Sequence, residues 1–384
     1  MARPLRILEV ISGVAPGFGG PSKVVRETCA ALANLGHHVE LLATNADTTG
    51  FLDRPIGEPL WEGTYQLFLT RALAPRSPHW SPQFVSELDK RIGNVDIVHV
   101  HGLFSFPTSF AMRHLRKHGV PYIVRPCGHL DHEALRSRAT LKRLWFEGID
   151  RANIDNAVFI QAATPLEERE MRQVGPKAPV LVIPQGVDVE QVPGAARVVE
   201  GEYLLFLGRL HPIKGLDLLL EAYALAPSLP QLVIAGPSLD GYREQLVATS
   251  KRLGLENKVR FIDDVQGPKK SALLRDSRTL VLPSLSENFG VVVVEAAGHG
   301  TPVVVANTVG IAEFVEQDDA GLVFSRDGKQ LSQALLKVVN EPNDRWKGGS
   351  LRLASRFHWS ATALVLESAM LKALGRAHES VPDS

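Results

Sequence analysis

The chain has 384 residues, 45% of them hydrophobic and 22% charged, and its 42 Lys+Arg balance 42 Asp+Glu. That length supports two or three domains, each with a core of its own, and zero formal charge argues against nucleic acid as a partner. Cys29 and Cys127 are too few for a disulfide framework or a zinc site and fit reduced thiols in a cytoplasmic protein, while no apolar run reaches the ~18 residues that cross a bilayer.

The first residues run Met-Ala-Arg-Pro-Leu-Arg-Ile-Leu-Glu, and Glu9 breaks an apolar stretch that would otherwise suggest a signal peptide. A first strand over Arg6–Ser12 is the reading, followed by a helix over Pro21–Leu35 and strands over Val39–Thr44, Tyr65–Thr70 and Ile97–His101. A helix over Phe106–His118 precedes strands at Tyr122–Arg125 and Val158–Ala162, a helix at Pro165–Gln173 and a strand at Val180–Ile183. After a Gly- and Pro-rich stretch, Val187–Glu202, the alternation restarts. Strands at Tyr203–Leu207, Leu232–Ala235, Val259–Ile262, Thr279–Leu282 and Val303–Ala306 are separated by helices at Leu216–Ala226, Tyr242–Leu253, Lys269–Arg275 and Val291–Gly298. Helices at Gly328–Val339 and Trp359–Leu374 close the chain. Such alternation builds parallel sheets with helices on both faces. The expected domains are 1–190, a hinge linker at 191–202, 203–355, and a terminal helix and tail at 356–384 that packs back on the first domain.

Ligands of open α/β sheets bind beyond the carboxyl ends of the strands, so the loops there carry the functional reading. Gly17-Phe-Gly-Gly-Pro-Ser22 follows the first strand; Gly19 and Gly20 permit close backbone approach, and the helix start favours an anion. It is a near match to the dinucleotide fingerprint, with Ser22 in place of the third glycine and Asp47 a few residues late for the acidic partner. In the second half, Arg209 leaves a strand and Lys214 opens the next helix, where a cation is unfavourable unless an anion offsets it. Further on, Ser-Glu287-Asn288-Phe289-Gly290-Val291 leads into a helix bearing Glu295. The N–H groups of Phe289 to Val292 are unsatisfied there, between two carboxylates. Backbone donors suit phosphate and carboxylates suit sugar hydroxyls. Glu295 follows four valines, where an unpaired carboxylate is costly, so a partner is expected.

These motifs resemble the retaining glycosyltransferases of family 4 with the GT-B fold, nearest the bacterial enzymes of exopolysaccharide and lipopolysaccharide assembly. The match rests on Gly208-Arg209-Leu-x-x-x-Lys214-Gly215, on the Glu287-x7-Glu295 pattern, on Gly19-Gly20, and on Arg125-Pro-Cys-Gly-His-Leu-Asp131. The resemblance implies two Rossmann-like doubly wound domains facing a central cleft. It implies transfer from a nucleotide sugar, such as a UDP- or GDP-sugar, to a glycan or lipid-linked acceptor, with no cofactor and no metal. By resemblance, Arg209 and Lys214 hold the diphosphate and Glu287 meets the donor sugar. Asn288 and the main chain of Phe289, Gly290 and Val291 meet sugar and phosphates. Glu295 meets the ribose, and Gly19-Gly20 approaches from the other domain.

Relatives carry a histidine where this chain has Cys127, which leaves His129, two positions on, and His101, at another strand end, as candidates for an active-site role or for structural hydrogen bonding. No His/Cys/carboxylate cluster is read as having ligand spacing; the Asp263-Asp264 pair reads as solvated loop carboxylates. Loops Asn45–Thr64 and Arg71–Pro82 bring Trp61 and Trp80, which suit sugar stacking or surface packing alike. The stretch 136–146 sets four cations beside Leu144, Trp145 and Phe146, which fits either a solvated helix with a core-facing Trp-Phe pair or peripheral contact with the inner face of the cytoplasmic membrane. A nucleotide-sugar 2-epimerase, an NAD-dependent oxidoreductase and a non-catalytic sugar-binding module are the competing readings.

Overall fold

The computed structural model describes residues 3–74, 79–130, 139–238, 241–263, 265–342 and 344–376. The chain divides into two compact units, one of Met1–Ala163, Glu167–Gly186 and Trp359–Ser384, the other of Thr164–Leu166 and Val187–His358. Each is built on its own sheet.

The first unit holds β1 (Arg6–Gly13), β2 (His38–Thr44), β3 (Pro59–Glu62), β4 (Tyr65–Thr70), β5 (Ile97–His101), β6 (Tyr122–Arg125), β7 (Phe159–Ala162) and β8 (Val180–Val182). They lie in the order β3-β4-β2-β1-β5-β6-β7-β8, parallel except for β3 against β4. Its helices are α1 (Gly20–Asn34), α2 (Phe84–Ile92), α3 (Phe106–His118), α4 (Ala139–Trp145), α5 (Arg151–Asp155) and α6 (Pro165–Val174), and a π-turn at Phe146–Asp150 joins α4 to α5. Both sheet faces are covered, which is why the strands read as nearly continuous apolar runs. Leu8 and Val10 of β1 pack with Ala111, Met112 and Leu115 of α3 on one face. Ile7 and Ile11 pack with Val25, Cys29 and Leu32 of α1 on the other.

The second unit holds β9 (Tyr203–Leu207), β10 (Gln231–Ala235), β11 (Val259–Ile262), β12 (Thr279–Leu282), β13 (Val303–Ala306) and β14 (Gly321–Phe324). Their order is β11-β10-β9-β12-β13-β14, and every pairing is parallel. The helices are α7 (Leu216–Ala224), α8 (Tyr242–Arg252), α9 (Gly267–Asp276), α10 (Val291–Gly298), α11 (Ala312–Gln317), α12 (Gly328–Asn340) and α13 (Lys347–Arg356). The last helix, α14 (Trp359–Ala373), returns to the first unit, where Leu366 and Met370 join the cluster of Val25, Cys29 and Leu32.

The structure departs from the sequence reading where periodicity is short. Asn45–Thr64 is not all loop, since it contains β3, an edge strand too brief for alternation to show. Helix α2 is anchored by two buried residues, Phe84 and Leu88. Helices α11 and α13 and strand β14, on either side of the expected helix at Gly328–Val339, have no counterpart in the sequence reading, and α13 carries Gly348 and Gly349 near its start, which weakens any helix signal. Gly349 is required there by packing, because a Cβ would lie 1.9 Å from the Asp319 carbonyl oxygen.

The expected linker 191–202 is fastened along the second unit. The Val192 N–H donates to Ser271 Oγ (3.1 Å), Gln191 Nε2 to the Gly298 carbonyl (2.6 Å), and Arg275 to the Ala195 carbonyl (3.0 Å). The units part at Gly186/Val187, and the second runs to His358. In the stretch 136–146, residues 136–138 lie outside the described residues. Phe146 is buried and Trp145 Nε1 donates to Ser109 Oγ at 3.2 Å, so the aromatic pair faces inward. Leu141 and Leu144 remain 64% and 69% exposed beside Lys142 and Arg143 and give α4 an outward apolar face.

Candidate active site

In the second unit the loops after β9, β12 and β13 meet at the carboxyl edge of the sheet. The Leu285 N–H donates to the Ile213 carbonyl (2.7 Å), Thr308 Oγ1 to the Ser284 carbonyl (2.6 Å), and the Gly310 N–H to the Glu287 carbonyl (2.8 Å). Glycine makes this closeness possible. Gly215 has φ 69°, and a Cβ there would lie 2.2 Å from the Pro283 carbonyl oxygen. Gly310 sits under the Asn288 carbonyl, 2.0 Å from where its Cβ would be.

These loops bring two sequence-predicted residues together. Lys214 Nζ donates to Glu287 Oε2 in an ion pair whose side chains are about one-fifth exposed. Arg209 is exposed and meets no acceptor among the described residues. Glu295, half-buried on α10, has the partner the sequence demanded but did not identify: Lys270 Nζ, one turn into α9, donates to its Oε1 at 2.7 Å. Between the two pairs, Gly290 caps α10 at φ 97°. The N–H groups of Phe289, Gly290, Val291 and Val292 reach no acceptor among the described residues. The Phe289 side chain turns inward, edge-on to Phe357 at 5.3 Å, so only its main chain can meet a ligand. Two Lys–Glu pairs thus flank an open helix end, which suits a ligand bearing phosphates and hydroxyls. Asp263 pairs with Arg243, and Asp264 lies outside the described residues.

In the first unit a pocket of about 310 Å³ opens at the carboxyl ends of β1, β5 and β6, lined among others by Phe18, Ser22, His101, Phe104, Cys127 and His129. The glycine loop borders it. Gly19, at φ 72°, caps α1, and a Cβ on Gly19 or Gly20 would meet open space, so close approach of a ligand to this backbone is unobstructed. Asp47 is occupied locally, accepting from the Thr48 N–H at 2.7 Å. Of the loop Arg71–Pro82, residues 75–78 lie outside the described residues. Trp80 is half exposed and packs on Phe106 (4.1 Å), while Trp61 is 68% exposed on β3.

His129 is held at one ring nitrogen. The Leu103 N–H donates to its Nδ1 at 2.9 Å, so the neutral ring carries its proton on Nε2 and presents a donor there. Burial, with the nearby Lys142 charge, lowers its pKa to about 4, so at neutral pH His129 is a hydrogen-bond donor and not a base at that atom. Cys127 adopts φ 57° and lines the pocket, but burial pushes its thiol up to about 11, so it is no nucleophile near neutrality. Asp131 lies outside the described residues.

His101 is part of a buried group that includes two residues the sequence reading left unassigned. Glu9 on β1 is fully buried; its Oε2 lies 2.5 Å from His101 Nε2 and 3.1 Å from His99 Nδ1 on the neighbouring strand. Burial alone would raise the Glu9 carboxyl, but the His99 charge and hydrogen bonds to His101 and His99 override it and lower the pKa to about 2. Burial and the adjacent His99 lower His101 to about 4. A carboxylate in mid-strand was the available signal, since such a group must be paired. Glu167, also unforeseen, ties the loops after β6 and β7 by accepting from the Gly128 N–H (3.0 Å) and the Ala163 N–H (2.6 Å).

Two family models match the chain: "Glycosyl transferase 4-like domain" over residues 19–186 and "Glycosyl transferases group 1" over residues 190–349. A D-inositol 3-phosphate glycosyltransferase of Frankia alni is 30% identical over 306 residues, covering 71% of this chain and 72% of the relative. The GDP-mannose:cellobiosyl-diphosphopolyprenol alpha-mannosyltransferase of Xanthomonas oryzae pv. oryzae is 27% identical over 371 residues, covering 92% and 93%. Among solved structures, sucrose-phosphate synthase from Thermosynechococcus elongatus superposes with a TM-score of 0.74 at 20% identity, over 97% of this chain and all of that one. Anabaena Alr3699/HepE in complex with UDP does so with 0.67 at 19%, over 96% and 100%. These likenesses establish the doubly wound two-domain fold.

Proposed function

The chain belongs to the family 4 glycosyltransferases of the GT-B fold, and from that premise we propose that it moves a sugar from a nucleoside-diphosphate sugar to a glycan or lipid-linked acceptor, with retention of anomeric configuration. The observation that carries this reading is the open start of α10 between the Lys214–Glu287 and Lys270–Glu295 pairs. The N–H groups of Phe289 to Val292 donate to the charged oxygens of the nucleotide sugar. Arg209 and Lys214 neutralise the leaving diphosphate. Lys214 moves between Glu287 and that diphosphate, so the glutamate keeps the lysine in place before the donor arrives. Glu287 then accepts hydrogen bonds from hydroxyls of the donor sugar, with Asn288 beside it, and Glu295, steadied by Lys270, accepts them from the ribose hydroxyls.

The pocket of the first unit is proposed as the acceptor side. Its aromatic lining suits a sugar ring, and the Nε2–H of His129 donates to a ligand oxygen. The acceptors named for the relatives, a diphosphopolyprenol-linked cellobiose and an inositol phosphate, both carry phosphate, which supports an acceptor of that kind here. GDP-mannose, in the name of a relative, and UDP, bound to a structural neighbour, support either base. A role in cell-surface polysaccharide synthesis fits the polyprenol-linked relative and the likeness to a glycosyltransferase involved in lipopolysaccharide biosynthesis. No helix among the described residues is long and apolar enough to cross a membrane. Peripheral contact with the inner face of the cytoplasmic membrane would fall to the exposed Leu141 and Leu144 beside Lys142 and Arg143.

The test is direct. Thermal melts with UDP, GDP, NAD and free sugars identify the bound class, and a donor screen with mass-spectrometric detection identifies the transferred mass. Stabilisation by UDP or GDP and a glycosylated product are expected. Stabilisation by NAD alone would replace the reading with an oxidoreductase, and donor consumption without any acceptor adduct would replace it with an epimerase.

A further inference from the structure

Among the described residues, two clusters of metal-ligating side chains stand apart from the donor-side residues. Glu9, His99 and His101 form one, fully buried, with the carboxylate already shared between two imidazoles. The other lies on the surface of the first unit, where Asp89 of α2, and His114 and His118 of α3, each offer one donor atom within 4.8 Å of the other two. We propose that Asp89, His114 and His118 form a site for a divalent transition-metal ion of the zinc class, tying α2 to α3.

Helical spacing explains the pair of histidines. Residues four apart share a face one turn apart, and the His114 and His118 rings lie 4.3 Å centre to centre at 40°. Asp89 arrives from the neighbouring helix, its Oδ1 already 2.9 Å from His114 Nε2. Zinc bonds of about 2.0–2.2 Å in a tetrahedral shell set ligand atoms roughly 3.4 Å apart. Small side-chain rotations bring the present arrangement to that spacing. Two imidazoles and one carboxylate are a donor set suited to zinc, copper or nickel and poor for calcium or magnesium. Asp89 and His118 are exposed and His114 half-buried, so an ion can enter and water can complete its shell. His118 is the last residue of α3, before Gly119 in the left-handed conformation, and a cation at that end is favoured by the helix dipole. Arg113, Arg116 and Lys117 share the helix and lower the affinity by repulsion.

The site is separate from the residues proposed for sugar transfer, so its test needs no activity. The full chain is stripped with chelator, then titrated with zinc chloride by calorimetry and melted with and without zinc. One equivalent and a raised melting temperature are expected, because an ion bridging two helices binds the folded chain in preference to the unfolded. His118→Ala keeps the Asp89–His114 hydrogen bond and changes an exposed position, so it should fold. It is expected to weaken zinc by about 10–100-fold or more, since loss of even an outer-sphere partner costs that much, and to abolish the thermal shift. Asp89→Asn should weaken it in the same direction. No zinc binding by the unsubstituted chain overturns the proposal. So does His118→Ala binding zinc with unchanged stoichiometry and affinity, which would place the ion elsewhere, such as at Glu9, His99 and His101.

Discussion

At the scale of single residues, the carboxylates and lysines beside α10 have unequal tasks. Lys214 is proposed to leave Glu287 for the leaving diphosphate, a preorganised charge that counts mainly in the transition state. Lys214→Ala is expected to lower turnover by ~10²–10³, measured by steady-state kinetics; near-normal turnover would remove Lys214 from the reaction. Glu295 is instead held by Lys270 at 2.7 Å and is proposed to bind the ribose. Glu295→Gln preserves volume and is expected to weaken the bare nucleoside diphosphate by about 1–3 kcal/mol, read by calorimetry, while Glu287→Gln leaves that affinity near normal and lowers turnover. Loss of nucleotide binding by Glu287→Gln alone would reverse the two assignments. His129 gives a pH prediction. Its pKa falls from 6.5 to about 4 on folding. Between these values the unfolded chain binds a proton that the folded chain refuses, so stability is full above pH 6.5 and is lost as pH falls toward 4. His129→Asn keeps an acceptor for the Leu103 N–H without titrating in this range. Urea midpoints across the window are expected to depend less steeply on pH in the variant; an identical slope would assign the acid sensitivity to other groups.

At the scale of elements, α10 and α14 were both legible in the sequence, for different reasons. Gly290 followed by four valines marks a helix start with a buried face, and the structure places Val293 and Val294 in the core. Helix α14 shows its length in the sequence, but only the structure supplies its contacts. Its Leu366 and Met370 complete the cluster around α1, so the last helix of the chain is core material of the first unit. Met370→Ala is expected to destabilise that unit by about 2–5 kcal/mol, the range for truncating a buried methionine. Denaturation followed by circular dichroism measures it, and a change within ±0.5 kcal/mol would mean that α14 is dispensable to the core. Helices α11 and α13 escaped the sequence reading because their anchors are tertiary. Arg356, at the end of α13, donates bidentately to Asp318 at 2.7 and 2.8 Å, and Gly349 packs on the Asp318 and Asp319 carbonyls.

At the scale of the whole molecule, the chain builds one sheet, then another, and ends in the first unit. The residues proposed to bind the donor lie within the second unit, and the pocket proposed for the acceptor within the first. Protein cations are proposed to carry the leaving charge, so transfer is expected to persist in excess EDTA with any surface zinc removed. Activity lost in EDTA and restored by magnesium or manganese would assign the charge to a metal.

The sequence by itself determined the two α/β sheets, most strand boundaries to within a residue, and which loops carry the residues proposed for phosphate and sugar. Strand alternation, glycine placement and helix starts are local, and local physics fixes them. Only the tertiary structure decided the partners. Lys214 meets Glu287 because the loops after β9 and β12 close on each other across Gly215. Lys270 meets Glu295 because α9 and α10 pack side by side. Asp89 meets His114 because α2 lies along α3. Each pair is separated by 25 to 73 positions in sequence. Spacing along a chain reports which residues share a face of one helix or strand, but it carries no information about which two elements will lie side by side.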